Sequence, residues 1–350
     1  MKDRYYDTFA GLLGDIDQSL RQFIQQMPRT TPLFWEMVEH HFGWLDDSSA
    51  RDRGGINLSG KRIRPLLVVL VARALTGRHD HALPAATAVE IIHNFTLVHD
   101  DVMDKSEERR HRETLWSKWG AAQAINAGDG LYALGMSALL GLQGAGEMAP
   151  SKVLDAMRFL LDACLATVEG QMLDVSFEQQ IDVTPDTYLT MISGKSAALI
   201  ECSTRMGALL STDDPTVIEA YGRFGRSLGI AFQIWDDYLG IWGRAEAMGK
   251  SATSDIETKK KSYPVLVAFQ QADAVTRANL LSIYHKELLD ARDVSCVLDI
   301  LRAVRAEEQT RDLIDVHFRA ALAALDAVGV DNDDQRHLRE LASFLIERAY

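Results

Sequence analysis

Hydrophobic residues recur at helical spacing along most of this chain. Alternation with a period of two, bounded by turn dipeptides, is almost missing, and the prolines lie between the long periodic segments. The pattern therefore predicts a nearly all-helical fold. Residues that favour helices, mainly Ala, Leu, Met, Glu, Gln and Arg, dominate five segments, which are Leu66–Leu75, Ala85–Asp104, Ala121–Leu142, Ser151–Glu178 and Pro185–Leu210.

Some of these segments are apolar on most of their circumference, for example Ala127–Leu142 and Cys202–Leu210. Such segments are typical of the interior helices of a large bundle. No linker, low-complexity tract or short-period repeat divides the chain, so we predict one domain over residues 1–350. The best candidate loops are Gly43–Leu58 and Met248–Ser262.

The chain has no segment that predicts membrane insertion or export. The most apolar stretch, Pro65–Leu75, contains Arg73 and is well short of the roughly 20 residues that a membrane-spanning helix needs. Met1–Met27 has mixed charges and no signal-peptide core, so we expect the mature protein to start there. The three cysteines are far apart, without zinc or redox spacing, and we expect free thiols in a reducing, cytoplasmic compartment.

Charge limits the possible partners of the chain. The formal net charge of -13 argues against nucleic acid as a partner, because binding to a phosphate backbone needs a broad positive surface. An anionic substrate would therefore need local basic clusters, although a charge run is more often a solvated face. Three basic clusters are present: Lys61-Arg62-Ile63-Arg64, Arg109-Arg110-His111-Arg112 and Lys259-Lys260-Lys261.

Two acidic clusters, Asp100–Asp104 and Asp236–Gly240, each end an apolar run that favours helix. Asp100 and Asp104 are four residues apart, which places them on one helix face about 5 to 6 Å apart, a spacing that suits Mg²⁺. Negative charge at a helix C-terminus opposes the helix dipole, so an ordinary solvated helix end is the weaker interpretation. Two carboxylate clusters with cationic side chains nearby predict a magnesium diphosphate site, and hence an enzyme.

Other candidate motifs are weaker. His93 lies on almost the same face as Asp100, but a lone histidine on an apolar helix is more often a core residue. The triplets at Gly194-Lys195-Ser196 and Gly249-Lys250-Ser251 lack the earlier glycine of a phosphate loop, although their lysines can still meet phosphate oxygens. Signatures of zinc peptidases, serine hydrolases and dinucleotide-binding folds do not occur.

The order of motifs from about Gly60 to Pro264 resembles that of the trans-isoprenyl diphosphate synthases, also called polyprenyl synthetases. Gly60–Pro65 is similar to their isopentenyl diphosphate motif, His93–Asp104 to their first aspartate-rich motif, and Arg109-Arg110 to their arginine pair. The series continues with Trp119-Gly120, Gly128-Asp129, Gly170–Asp174, Lys195-Ser196, Phe232–Asp237, Gly249-Lys250, Asp255 and Lys260.

The resemblance implies an all-α bundle of isoprenoid synthase type around a central apolar cavity, working as a homodimer with the aspartate motifs facing each other. It implies a prenyltransferase that condenses isopentenyl diphosphate head-to-tail with allylic diphosphates. The expected product is a short all-trans prenyl diphosphate, and the best match is geranylgeranyl diphosphate (C20).

The resemblance also implies roles for individual residues. About three Mg²⁺ ions would be bound by aspartates of both motifs. The metal ligands would be Asp100, Asp104 and Asp236, with Asp101, Asp174 and Asp237 in support. The allylic diphosphate would be held by Arg109, Lys195, Lys250 and Lys260, and isopentenyl diphosphate by Lys61, Arg64, His93 and Arg110. Ser196 and Gln233 would present oxygens to the developing cation.

The sequence departs from the family pattern at a few positions. Gly240 stands where many members have a third aspartate, which should weaken the second metal site without abolishing activity. His111 and Glu113 replace the usual glycine and proline. Phe95, five residues before Asp100 and followed by the small Thr96, favours C20 by resemblance, although a helical wheel places it roughly 140° from the Asp100 face.

Several alternatives stay open. The product could be farnesyl diphosphate (C15). A class I terpene cyclase shares the first aspartate motif, but Gly240 and Arg244 stand where its second metal motif needs other residues, and Lys61 and Arg64 would have no role. A non-catalytic subunit of an active synthase, or a helical scaffold, would not need the intact aspartates and lysines.

Overall fold

A computed structural model describes residues 2–45, 60–144, 148–180, 182–243 and 253–346 of the chain. Helices account for most of these residues, and the predicted all-α fold class is confirmed. The chain forms two compact units, which we treat separately. The N-terminal unit comprises Lys2–Leu160 and Arg205–Asp213, and the C-terminal unit comprises Leu161–Thr204 and Asp214–Tyr350.

The described residues of the first half form helices and one small hairpin. Helices α4 and α6 pack along each other, and α3 buries nearly its whole circumference, as its continuous apolar run predicts. The elements are α1 (Lys2–Gln26), α2 (Pro32–Phe42), α3 (Ile63–Thr76), a 3₁₀ turn (Asp80–Ala82), α4 (Leu83–Met103), β1 (Glu108–Arg109), β2 (Arg112–Glu113), α5 (Leu115–Trp119), α6 (Ala121–Gly144) and α7 (Pro150–Gln179).

Among its described residues, the regular secondary structure of the second half is helical. Helix α10 packs along α15, and its start is fixed by Asp214, which accepts a hydrogen bond from the Thr216 backbone N–H at 2.8 Å. The elements are α8 (Pro185–Ile192), a π-helical turn (Ser193–Ala197), α9 (Ala198–Leu209), α10 (Pro215–Trp242), α11 (Ser254–Glu257), α12 (Tyr263–Gln271), α13 (Ala274–Tyr284), α14 (Ala291–Ala303), α15 (Ala306–Ala327) and α16 (Asp333–Ile346).

Among the described residues, no helix has both the length and the apolar character needed to cross a bilayer. The prediction of a single domain over residues 1–350 stays a prediction.

Candidate active site

The first aspartate motif lies at the C-terminal end of α4 and divides into exposed and buried carboxylates. Asp101 is only 2% exposed and accepts a hydrogen bond from Arg109 Nε at 2.8 Å. Burial raises the pKa of Asp101, and the Arg109 guanidinium opposes this shift. Asp104 is exposed and Asp100 partly so. Asp100 and Asp104 are therefore the carboxylates of this motif suited to a ligand, whereas Asp101 holds Arg109.

A β-hairpin carries the arginine pair that follows this motif. Arg109 pairs with Arg112 across the two strands, and the two turn residues, Arg110 and His111, have φ values of 54° and 62°. Two consecutive residues with positive φ are the signature of a type I′ turn, which normally favours Asn-Gly. His111 thus occupies a conformation that favours glycine, at a cost of roughly 1 kcal/mol.

The hairpin brings Arg110 next to the start of α3. Gly60 has φ of 93°, and a Cβ added there would lie 2.6 Å from the Arg110 guanidinium carbon, so a side chain at this position would displace Arg110. Burial lowers the pKa of Arg110 and of Arg64 to about 10 in each case, which leaves both cationic at neutral pH.

His93 belongs to the same basic cluster. Its Nε2 lies 3.3 Å from Arg64 Nη1. Burial lowers the pKa of His93 well below its ordinary value, and Arg64 and Arg110 lower it further. The ring is therefore neutral, and its Nε2 accepts from the guanidinium, which can only donate. The structure thus brings together Arg64, His93 and Arg110, three of the four residues that the resemblance assigns to one ligand.

Lys61 and Arg62, which flank this cluster, are held by other parts of the N-terminal unit. The Lys61 carbonyl accepts a hydrogen bond from Tyr5 Oη at 2.5 Å. Arg62 is 3% exposed and pairs with Asp17 at 2.9 Å and with Glu90 at 2.5 Å. The interpretation of this basic run as a solvated face is therefore wrong for Arg62, which is a buried structural cation.

Sequence reasoning missed His41, which lies beside the arginines. Its Nε2 donates to Asn94 Oδ1 at 3.0 Å, because a carboxamide oxygen can only accept. Burial lowers the pKa of His41 to about 3, and the charges of Arg110 and Arg109 add to the shift. The only signal in the sequence is a histidine pair, His40-His41, on an amphipathic helix, and nothing in that signal connects α2 with the arginine hairpin.

The second aspartate motif, on α10 in the C-terminal unit, also contains one exposed and one buried carboxylate. Asp236 is exposed, whereas Asp237 is fully buried and is surrounded by donors. Asp237 therefore organises the protein around it, and Asp236 is the carboxylate suited to a ligand. The groups that donate to Asp237 are Tyr188 Oη at 2.5 Å, Lys260 Nζ at 2.8 Å, the Tyr263 backbone N–H at 3.2 Å and Gln233 Nε2 at 3.3 Å.

Lys260 lies between two carboxylates. Its Nζ is 3.6 Å from Asp255 Oδ2, in addition to its bond with Asp237. Although burial lowers the pKa of Lys260, the charges of Asp237 and Asp255 raise it above its ordinary value overall. Burial raises the pKa of Asp255 to about 6, against the opposing charge of Lys260. Lys260 therefore stays protonated at neutral pH.

Lys195 and Ser196 lie in the π-helical turn between α8 and α9, a type of distortion that is frequent at functional sites. Lys195 Nζ donates to the Asp174 carboxylate of α7, and Ser196 Oγ donates to Gln233 Oε1 at 2.6 Å. A Cβ on Gly170 would lie 2.2 Å from the Lys195 backbone nitrogen, so this turn can approach α7 only at a glycine.

The remaining predicted residues are Phe95, Thr96 and Lys250. Phe95 is 9% exposed and makes edge-to-face contacts with the rings of His99 and Tyr132, with centroids 5.1 and 5.5 Å away. Thr96 Oγ1 donates to the His93 carbonyl at 2.8 Å. Lys250 lies outside the described residues.

The exposed aspartates fit Mg²⁺ by the chemistry of their donors. In the part of the chain that the structure describes, no three His, Cys, Asp or Glu side chains are grouped closely enough to hold a metal by themselves. Mg²⁺ usually keeps several waters and binds one or two carboxylates together with substrate phosphates. Asp100 on α4, Asp104 at its C-terminal cap, and Asp236 on α10 are carboxylates of this kind, so a phosphorylated ligand would have to supply further oxygens.

Comparison with known proteins decides the family. Residues 54–301 match the family model described as polyprenyl synthetase, which covers most of the chain. The chain belongs to the polyprenyl synthetase family. It is therefore an enzyme, a trans-prenyl diphosphate synthase, and the resemblance of its motifs is confirmed. Polyprenyl synthetases generally depend on divalent metal.

Individual polyprenyl synthetases match over nearly the whole chain. A (2E,6E)-farnesyl diphosphate synthase of Mycobacterium tuberculosis is 34% identical, with 99% of this chain and 95% of the relative covered. A geranylgeranyl diphosphate synthase of the same organism is 38% identical over 83% of this chain and 81% of its own. The crystal structure of geranylgeranyl pyrophosphate synthetase from Pyrococcus horikoshii has a TM-score of 0.86 at 30% identity and covers 99% of both chains.

Proposed function

We propose that this enzyme condenses isopentenyl diphosphate head-to-tail with allylic diphosphates and releases geranylgeranyl diphosphate (C20). The observation that carries the proposal is the cluster of Arg64, neutral His93 and Arg110 in the same unit as the first aspartate motif. His93 lies two turns before Asp100 on α4, about 10 Å along the helix axis. Guanidinium groups match the geometry of phosphate oxygens, and these two are partly exposed, so a ligand can reach them.

Binding of the two substrates divides the basic residues into two sets. Lys61, Arg64, His93 and Arg110 would bind the diphosphate of isopentenyl diphosphate, with His93 donating through Nδ1 because Nε2 accepts from Arg64. The allylic diphosphate would be held by Arg109, Lys195, Lys250 and Lys260. Lys195 and Lys260 are already oriented by Asp174 and Asp237.

The acidic residues would hold about three Mg²⁺ ions, through Asp100, Asp104 and Asp236, and these ions would supply Lewis-acid stabilisation of the departing diphosphate. Asp101 and Asp237 would keep Arg109 and Lys260 in position. Ser196 and Gln233 form an oriented pair, since Gln233 also donates to Asp237. Their remaining lone pairs would stabilise the allylic cation that the isopentenyl double bond attacks. The new C–C bond leaves a second cation, which would lose a proton to the released diphosphate.

We also propose that residues 1–350 act as one domain, because the family match runs through both compact units. Cytoplasmic localisation is part of the proposal. It is supported by the three cysteines, Cys164, Cys202 and Cys296, none of which forms a disulfide in the structure. Reducing compartments keep cysteines in the thiol form.

A direct assay tests the activity. Purified protein incubated with Mg²⁺, labelled isopentenyl diphosphate and, separately, the C5, C10 and C15 allylic diphosphates is expected to give a C20 product with each starter. A product that stops at C15 would make the enzyme a farnesyl diphosphate synthase. No incorporation with any starter would favour the non-catalytic subunit.

Phe95→Ala is expected to lengthen the product beyond C20, because Phe95 would close the space available to the growing chain. Product length is measured by chromatography of the dephosphorylated prenols. Removing a buried phenyl ring also costs about 3–5 kcal/mol in many proteins, so Phe95→Leu serves as a milder variant with the same expected direction. An unchanged product from both folded variants would contradict the role of Phe95.

We propose a homodimer in which α7 contacts a second copy of the chain. Helix α7 leaves a row of large apolar side chains exposed at intervals of four and three residues, which places them on one face. An exposed apolar row of this length is typical of an association surface. The row consists of Leu161, Leu165, Val168, Met172 and Val175.

The double variant Leu165→Glu/Met172→Glu is expected to be a monomer, whereas the unaltered chain is expected to have twice the monomer mass in sedimentation equilibrium. Placing charge inside an apolar interface is unfavourable unless the charge is paired. Val316→Glu is the matched control, since Val316 is equally exposed but lies on α15. A wild-type monomer, or a dimer that survives the double substitution, would contradict this interface.

A further inference from the structure

The hairpin that carries Arg109 and Arg110 is too small to hold its own shape. Each of its strands has two residues, and both turn residues, Arg110 and His111, have positive φ. A single two-stranded hairpin is marginally stable at best in water, and backbone strain persists only where the surrounding structure holds it. Contacts with other elements must therefore fix this hairpin.

Strand β2 of the hairpin is attached to the C-terminus of α2. His40 Nε2 donates to the Glu113 carbonyl at 2.8 Å, and Arg112 Nη2 donates to the His41 carbonyl at 3.4 Å. A cation is favourable at this end of a helix, because the last carbonyls carry the negative end of the helix dipole. Arg112 thus connects the hairpin, by charge and by hydrogen bonding, to the last turn of α2.

Gly43 makes room for the Arg112 side chain on α2. It caps the helix with φ of 74°, and a Cβ added to it would lie 2.5 Å from Arg112 Cζ and 2.8 Å from Arg112 Nη2. The guanidinium therefore occupies the space that any side chain at position 43 would need. Gly77 caps α3 with φ of 73°, yet a Cβ added there would meet nothing within 4 Å, so a left-handed cap glycine does not by itself imply such a contact.

We propose that Arg112 is a positioning residue, which docks the arginine hairpin on the C-terminus of α2 and so holds Arg110 for the diphosphate of isopentenyl diphosphate. The inference rests on the proposed function. Arg109 is attached separately, because its Nε donates to Asp101 on α4. Loss of the contact with α2 should therefore displace Arg110 more than Arg109, and should weaken use of the isopentenyl substrate more than that of the allylic substrate.

Steady-state kinetics with both substrates tests this asymmetry. Arg112→Gln is expected to raise KM for isopentenyl diphosphate at least about tenfold and KM for geranyl diphosphate less than about threefold, because a small misplacement of a binding group is costly. Arg112→Lys can still donate to a helix carbonyl and should recover part of the loss. Arg29→Gln is the matched control, expected to leave both KM values unchanged, since Arg29 pairs with Glu39 of α2 at 2.7 Å and lies outside the hairpin.

Gly43→Ala should raise KM for isopentenyl diphosphate as well, because the methyl group displaces the Arg112 guanidinium while its charge is kept. Gly77→Ala is the matched control. It introduces the same strain of an alanine at positive φ, but it has no neighbouring atom to displace, so both KM values should stay at those of wild type. Urea unfolding of the two variants compares the cost of that strain.

A double-mutant cycle distinguishes positioning from direct binding. If Arg112 acts through Arg110, Arg112→Gln should change KM for isopentenyl diphosphate by less than about twofold in a chain that already carries Arg110→Gln. If the effects of the two substitutions instead multiply, Arg112 binds the diphosphate independently of Arg110, and the positioning role is wrong.

Hydrogen exchange reports the docking even without enzymatic activity. The Thr114 backbone N–H donates to the Glu107 carbonyl at 2.9 Å, directly beside the two strands, and it should exchange faster in Arg112→Gln and in Gly43→Ala than in wild type. If wild type transfers no prenyl group but this exchange still accelerates, the proposed function fails and the docking stands. If wild type is active but either the exchange or KM for isopentenyl diphosphate is unchanged in Arg112→Gln, Arg112 has no positioning role.

Discussion

Asp100→Asn and Asp236→Asn are each expected to lower kcat/KM for prenyl transfer by at least about 10²-fold, while the free energy of unfolding stays close to that of wild type. The amide keeps the shape of the carboxylate but loses the charge that Mg²⁺ prefers in its ligands. Stability should be retained because Asp236 is exposed and Asp100 partly exposed. Steady-state kinetics over a range of Mg²⁺ concentrations, with urea unfolding of the same samples, measures both quantities.

The neighbouring aspartates should behave in the opposite way. Asp101→Asn and Asp237→Asn remove acceptors that are buried against Arg109 and Lys260, so both variants are expected to lose stability as well as activity. Asp162→Asn, at an exposed position of α7, is the control for loss of one surface charge. Full activity of Asp236→Asn at saturating Mg²⁺ would contradict a metal-binding role for that residue.

The difference between the exposed and the buried aspartates shows which features of the site the sequence predicts and which it does not. Apolar periodicity was sufficient to predict the helices, and the four-residue spacing of Asp100 and Asp104 to predict a shared face. Adjacent residues on a helix point about 100° apart, so Asp101 cannot share that face. The motif places Asp100 and Asp101 in one functional group, whereas the structure buries Asp101 against the arginine hairpin.

The parts that could not be predicted depend on contacts between distant segments. The hairpin turn at Arg110-His111 lacks the glycine that usually marks a type I′ turn, so no local signal identifies it. Tyr188 reaches Asp237 from 49 residues away, and Asp255 covers Gly240 from another helix. In both cases the sequence shows the residue but gives no indication of its partner.

The basic motif at the start of α3 combines ligand-binding residues with a residue that holds the fold. Arg62 lies between Lys61 and Arg64, but its guanidinium is bound inside the N-terminal unit, where Nε donates to Asp17 and Nη1 donates to Glu90. Burial lowers the pKa of Arg62, yet the charges of Glu90 and Asp17 outweigh this and raise it overall. The charge of Arg62 is therefore compensated within the protein.

Arg62→Met is accordingly expected to lower the free energy of unfolding by about 3–5 kcal/mol, because it leaves Glu90 as a buried carboxylate without its cation. Urea unfolding followed by circular dichroism measures the change. The double variant Arg62→Met/Glu90→Leu should recover part of the loss, but not all of it, since Glu90 also accepts a hydrogen bond from Asn94 at 2.8 Å. Arg64→Lys is the matched control. It is expected to weaken isopentenyl diphosphate binding but to change the free energy of unfolding less than Arg62→Met does, because Arg64 makes no ion pair among the described residues. A loss below about 1 kcal/mol for Arg62→Met would show that the buried pair contributes no more than an exposed one.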